Sequence, residues 1–210
     1  MFKQIPLGPI QTNAYVLYND AKEAVIFDPG GDAEALINWL KREQLTPLAI
    51  LLTHAHFDHI GAVDAVRDTY SIPVYLHTKE RRWLEDPDLN GSSRLTGRPI
   101  TTAKPADILL TEDKSLTIGS FTFSVFHTPG HSPGSVSFYY QKEAVLFSGD
   151  VLFQHSIGRT DLRGGDHALL LASIHNKILP LPEGTVVASG HGPLTTIGQE
   201  MDHNPFLSGY

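Results

Sequence analysis

The segment Thr53-His54-Ala55-His56-Phe57-Asp58-His59 gathers three imidazoles and a carboxylate directly after the apolar run Leu48 to Leu52. In a chain of this composition, His-x-His-x-Asp-His arises by chance in about two per thousand sequences, which marks it as chemistry rather than accident. Neutral imidazole and carboxylate are ligands for divalent metal ions. In an extended segment His54 and His56 project to the same side, so two nitrogens converge on one ion. Asp58 and His59 lie past the strand end, where the chain turns, and are expected to point toward a second ion. The plain alternative is a fortuitous surface histidine tract. Such tracts lack a fixed spacing and rarely end a buried strand.

Three more polar clusters close apolar strands: His127-Thr128-Pro129-Gly130-His131, Ser148-Gly149-Asp150 and Gly190-His191-Gly192. Binding residues concentrate on loops held by a rigid scaffold, and glycine lets the backbone approach a bound group. The scaffold is legible. Tyr15 to Tyr18 and Ala24 to Phe27 read as strands, each followed by a turn signal. Asp32 is an N-cap candidate for a helix whose Ala33, Leu36, Ile37 and Leu40 follow helical spacing. A helix over Ala62 to Thr69 and a strand over Val74 to Leu76 follow the histidine cluster. The stretch Glu85 to Pro105 is rich in proline, glycine and polar residues, and reads as a long surface loop of the functional or mobile kind. Further on, Phe121, Phe123 and Val125 alternate with Thr122 and Ser124, and Val136 and Phe138 with Ser135 and Ser137. Ala144 to Phe147 forms a third strand, Asp166 caps a helix running to Lys177, and Thr185 to Ala188 forms a last strand. Strands then helices in each half suit two sheets packed face to face with helices outside.

Length and composition bound the rest. The 210 residues are most economically one domain, 1–210, large enough for a full core. The chain has no cysteine, which leaves His, Asp and Glu to hold any metal. A formal charge of -7 argues against a nucleic-acid partner. No apolar run approaches a membrane span, and the start Met1 to Pro6 lacks a signal peptide's apolar stretch, so cytoplasmic residence is expected. Oligomeric state is left open.

Taken together, Asp28-Pro29-Gly30, the His-x-His-x-Asp-His cluster, Thr128-Pro129-Gly130-His131, Gly149-Asp150 and Gly190-His191-Gly192 resemble, in their order, the metallo-β-lactamase fold superfamily. Within it they are similar to the small single-domain, glyoxalase II-like hydrolases. That resemblance implies an α/β (α+β) four-layer αββα sandwich and two divalent metal ions per chain, zinc first, with iron or manganese also accepted by such donors. His54, His56 and His131 would hold one ion, Asp58, His59 and His191 the other, and Asp150 would bridge. Asp28 would orient a ligand imidazole through its other ring nitrogen, or else only organise its turn.

The implied activity is hydrolysis of S-(2-hydroxyacyl) thioesters such as S-lactoylglutathione. A water shared by two ions has its pKa lowered from ~15.7 toward ~7, which supplies hydroxide at neutral pH, and Asp58 is the nearest carboxylate able to orient it. The chain leaves no room for the helical domain with which two-domain relatives bind glutathione, so poor affinity for the glutathione part is expected. Gly158-Arg159-Thr160-Asp161 resembles both glyoxalase II-like proteins and persulfide dioxygenases. Arg159 would clamp a substrate carboxylate or pair with Asp161, and His155, near Asp150 in sequence, is a second substrate-binding candidate. His127 is read as packed, His77 as preceding a helix start, and His167, His175 and His203 as ordinary helix or terminal residues. The rival enzymes are a persulfide dioxygenase with one iron on His54, His131 and Asp150, and a lactone or phosphodiester hydrolase on the same two ions. A closed structural site would need only four ligands.

Overall fold

A computed structural model of the chain describes residues 1–94 and 100–207, so residues 95–99 of the expected Glu85 to Pro105 loop lie outside the described residues. The chain divides into two compact units, residues 1–111 with 118–120, and residues 112–117 with 121–210. Each is built on a six-stranded sheet.

In the first unit the strands β1 (Phe2–Leu7), β2 (Thr12–Tyr18), β3 (Glu23–Phe27), β4 (Thr46–Leu51), β5 (Val74–His77) and β6 (Ile108–Leu110) lie in sequence order. The first three pair antiparallel through short turns, and the rest pair parallel. Parallel neighbours need crossovers, and helices supply two of them. Helix α1 (Ala33–Arg42) joins β3 to β4, while α2 (Phe57–Ile60) and α3 (Val63–Tyr70) join β4 to β5. The helical spacing read in α1 buries Leu36 and Leu40 in the same core as Ala24, Ile26 and Ile50. Asp32 departs from the expected capping role. Its side chain makes no cap bond and instead accepts the Gly8 N–H at 2.7 Å, because its own backbone is left-handed at φ 45°. No helix among the described residues is long and apolar enough to cross a membrane.

The second unit carries β7 (Lys114–Ile118), β8 (Phe121–His127), β9 (Val136–Tyr140), β10 (Val145–Gly149), the short hairpin β11 (Leu152–Phe153) and β12 (Ser156–Ile157), β13 (Val186–Ser189) and β14 (Thr195–Thr196). Its sheet runs β14-β13-β10-β9-β8-β7. The alternation in β8 holds, with Phe121, Phe123 and Val125 buried and Thr122 and Ser124 exposed. In β9 it does not. Every residue from Val136 to Tyr140 is buried, and Ser137 is accommodated by a 3.0 Å hydroxyl contact with Thr128. A period-two pattern reports which side chains are polar; a polar side chain with a partner can still be covered. Asp166 caps α4 (His167–Ser173) as expected, its Oδ1 accepting the Leu169 N–H at 3.0 Å. The expected run to Lys177 continues as a wider turn over Ile174–Ile178, closed by Leu179 N–H to the Ile174 carbonyl. Helix α5 (Ile197–His203) follows β14.

Candidate metal centre

In the first unit, β4 ends in the core and releases Thr53 to His56, after which α2 is a single turn that carries Asp58 and His59 back. The helical turn, not an extended continuation, decides where those two side chains go. The His59 ring centroid lies 4.1 Å from that of His54, nearer than His56 at 4.7 Å. The His59 Nε2 is 3.4 Å from Asp58 Oδ2. His54 and His56 fall in one group of potential ligands and Asp58 and His59 in another, and all four side chains are buried.

Hydrogen bonds fix the proton positions among these side chains. Thr53 Oγ1 donates its single proton to Asp28 Oδ2 at 2.6 Å, so its 3.1 Å contact with His54 Nδ1 has the imidazole as donor. Asp28 Oδ2 also accepts His59 Nδ1–H at 3.0 Å, and its Oδ1 accepts the Thr53 N–H at 2.8 Å. Both rings therefore carry their proton on Nδ1 and their lone pair on Nε2. Asp28 itself stands at φ 46°, a left-handed backbone costly for a non-glycine residue, held by these three bonds. Thr12 Oγ1 donates to Asp58 Oδ2 at 2.7 Å. Gly30 is required where it stands, since a Cβ there would lie 1.8 Å from the Asp58 carbonyl oxygen.

The second unit repeats the logic. His131 Nδ1 donates to the Arg159 carbonyl at 2.8 Å, which puts its lone pair on Nε2, 3.6 Å from Asp150 Oδ2. The His191 Nε2 stands 3.6 Å from the same oxygen. One carboxylate oxygen thus sits between two imidazoles. The Phe153 ring of the β11–β12 hairpin packs edge-on to His191 at 6.3 Å. Gly158 permits this packing, because a Cβ there would stand 1.9 Å from the Asp150 carbonyl oxygen and 3.2 Å from the His131 Cβ. Asp150 and His131 are buried, and the His191 side chain is a third exposed.

The donor set fits divalent metal. In each unit an imidazole lone pair faces a carboxylate oxygen at 3.4–3.6 Å. Two acceptors so close in a buried setting repel unless a cation lies between them. A proton can serve for one such pair, and a metal ion serves several at once with these ligand types. Histidines whose Nδ1–H is tied to a carboxylate or carbonyl are the usual form of a metal-ligating imidazole.

Other residues sort plainly. The Arg159 side chain makes a bidentate pair with Asp161, both distances 2.7 Å, and its carbonyl orients His131. The guanidinium holds the Asp161 carboxyl down at about 2. His155 stands at φ 56°, gives its backbone N–H to Glu200 and stacks on His203 at 6.2 Å. The His127 Nε2 meets the Pro133 carbonyl at 3.0 Å, a packing role as expected. His77 caps the short turn Thr78–Glu80, accepting the Lys79 N–H. Sequence reasoning missed Glu80, a buried carboxylate that accepts the Ala55 N–H at 2.7 Å between His54 and His56. It also missed Trp83, whose ring lies 5.5 Å from that of His56, and Asn90, whose carbonyl accepts the Phe57 N–H at 3.0 Å. The segment from Thr78 to Asn90 thus meets the loop that carries His54 to His59 at three points, of which Asn90 alone lies in the expected Glu85 to Pro105 loop.

A family model described as the Metallo-beta-lactamase superfamily matches residues 7–191. The chain is 56% identical over 209 residues to a protein of Bacillus subtilis (strain 168) named probable metallo-hydrolase YqgX, covering 100% of this chain and 98% of that one. It is 37% identical to hydroxyacylglutathione hydrolase GloC of Haemophilus influenzae, covering 97% and 96%. Among solved structures, BLEG-1 B3 metallo-beta-lactamase is 93% identical with a TM-score of 0.97 and 100% of both chains covered. TTHA1623 in a di-iron-bound form is 43% identical with a TM-score of 0.87, covering 98% of this chain and 100% of that one.

Proposed function

We propose that this chain, which belongs to the Metallo-beta-lactamase superfamily, is a metal-dependent hydrolase that cleaves S-(2-hydroxyacyl) thioesters. The observation that carries the reading is Asp150, one carboxylate oxygen set 3.6 Å from both His131 Nε2 and His191 Nε2. A carboxylate so placed suits a ligand shared between two ions, the role the glyoxalase II-like resemblance gives it. In our reading His54, His56 and His131 hold one ion, Asp58, His59 and His191 the other, and Asp150 both. Two ions are favoured by the di-iron-bound form of the 43%-identical structure, and zinc or iron would satisfy the same donors. Such ions supply Lewis acidity toward a carbonyl oxygen and a nucleophile at neutral pH. The chain's own groups then do three things. The Asp28 and Arg159 acceptors keep Nε2 lone pairs presented, Thr12 fixes the Asp58 carboxylate, and Asp58 orients the attacking water. GloC matches this chain over nearly its whole length, so a protein named hydroxyacylglutathione hydrolase can have these dimensions.

A second reading, β-lactam hydrolysis, is favoured by the 93% identity to a structure titled as a B3 metallo-beta-lactamase. Both substrates present a carbonyl to the same nucleophile and differ in the leaving atom, sulfur or nitrogen. Metal-analysed protein assayed on S-lactoylglutathione, a chromogenic cephalosporin and a glutathione persulfide with oxygen uptake separates the readings. We expect kcat/KM to be highest on the thioester. Turnover confined to the cephalosporin, or oxygen uptake with one iron per chain, would replace our proposal with the corresponding rival.

A further inference from the structure

The chain is acidic overall, with 16 Lys and Arg against 23 Asp and Glu, yet three of its cations fall within the four residues Lys79 to Arg82. All three are exposed and line one cleft of about 310 Å³ together with Thr78, Trp83 and Leu89. None of the three side chains makes an ion pair with any described residue. Among the described residues no carboxylate lines the cleft, and the exposed Glu85 and Asp88 of the same stretch stand outside its lining. Glu80 accepts the Ala55 N–H, and Asp86 accepts the N–H groups of Asp88 and Leu89. Trp83 belongs to two places at once, lining the cleft and packing its ring against that of His56.

We propose that this cleft binds the anionic carrier end of the substrate, with Arg81 and Arg82 on its carboxylate or phosphate groups and Trp83 and Leu89 against its apolar part. The inference rests on the thioesterase reading for the identity of the ligand, not for the existence of the site. Three cations in the lining of one cleft, with no carboxylate beside them in that lining, give the cleft itself the charge that gathers anions. Guanidinium groups match carboxylate and phosphate in planar, two-bond geometry. A cleft with an apolar floor and a few placed charges is the usual form of a small-ligand site. A cleft of this kind would hold a glutathione-like carrier without a basic helical domain.

The test measures binding of two probes that cannot be hydrolysed, S-methylglutathione for carboxylates and S-methyl coenzyme A for phosphates, by titration calorimetry on the metal-loaded protein. Arg81→Ala/Arg82→Ala should weaken at least one probe by about tenfold, the sum expected from two exposed charge pairs. The probe affected identifies the anion. Arg81→Gln/Arg82→Gln, which keeps side-chain length, should behave alike and guards against misfolding. Lys41→Ala/Arg42→Ala, the same charge change on α1, should leave affinity unchanged. In turnover the loss should fall on KM with kcat kept, and an S-lactoyl thioester of uncharged N-acetylcysteamine should not distinguish variant from parent. Equal affinity in parent and both arginine variants, binding of neither probe at millimolar concentration, or an equal effect of the α1 variant overturns the proposal. Arginine-dependent binding by a parent that hydrolyses no thioester would uphold the cleft and overturn the thioesterase reading.

Discussion

Replacing Asp28 with Asn keeps size and shape and changes one buried oxygen into a donor. Asp28 receives three protons, from Thr53 N–H at 2.8 Å, Thr53 Oγ1 at 2.6 Å and His59 Nδ1 at 3.0 Å. An amide can accept at only one end. With its NH2 group toward Thr53 N–H, two donors face each other in a site 3% exposed, and stability falls by about 1–3 kcal/mol. With NH2 on the other side, His59 must move its proton to Nε2 to accept at Nδ1. The Thr53 hydroxyl, losing its acceptor, then turns to His54 Nδ1, and the second ring is pushed to the same tautomer. Both lone pairs meant for metal would be protonated, and affinity should fall by about 10–100-fold, which is about 1.4–2.7 kcal/mol. Either way the penalty is measurable. Urea melts of metal-free protein read the first cost, and competition against a chromophoric zinc chelator reads the second. An Asp28→Asn variant within about 0.5 kcal/mol of the parent in stability and threefold in zinc affinity would refute the proton assignment.

Three further outcomes are expected. Gly158→Ala drives a methyl into the Asp150 carbonyl oxygen, 1.9 Å away; overpacking of this kind costs about 1–3 kcal/mol, and calorimetric melting together with a lowered metal content checks it. Glu80→Ala leaves the Ala55 N–H without its 2.7 Å acceptor, so urea denaturation should show a loss of about 1–3 kcal/mol, where no loss would remove Glu80 from the site's support. The Asp161 carboxyl, held by Arg159 at about 2, should titrate there by NMR and move up toward ~3.9 in Arg159→Ala. Its folded value is depressed, so whatever the pair contributes is present above ~3.9 and lost only as pH falls toward 2, leaving activity near neutral pH untouched by it.

How much of this was legible in the sequence depended on sequence distance. His54, His56, Asp58 and His59 share one short motif, and Asp150 and His191 end strands whose apolar runs are continuous. Type and spacing pointed to the first four, whereas Asp150 and His191 entered through the resemblance that their motifs carry. Thr12 to Asp58 and Glu80 to Ala55 join residues 46 and 25 positions apart, and no local pattern announces them. Even inside the motif, spacing did not show that the single turn of α2 sets the His59 ring 4.1 Å from that of His54. Asp32 looked like a cap and became the acceptor for Gly8, since local propensity yields to a tertiary partner. Arg159 had two readings in sequence, and the bidentate pair with Asp161 now accounts for its side chain.

The central claim is that Asp150 serves two ions at once, and metal counting on two variants tests it most directly. Asp150→Ala removes a carboxylate from both sites and with it negative charge between two cations, so their repulsion rises. Elemental analysis should find the parent with about two equivalents. Asp150→Ala should retain almost none and lose thioester hydrolysis, while His191→Ala should keep about one equivalent and residual turnover. Circular dichroism should report the same fold in all three, because the sheets bury their apolar residues without help from the ions. An Asp150→Ala protein that still carries two metal equivalents and hydrolyses S-lactoylglutathione near the parent rate would contradict the account.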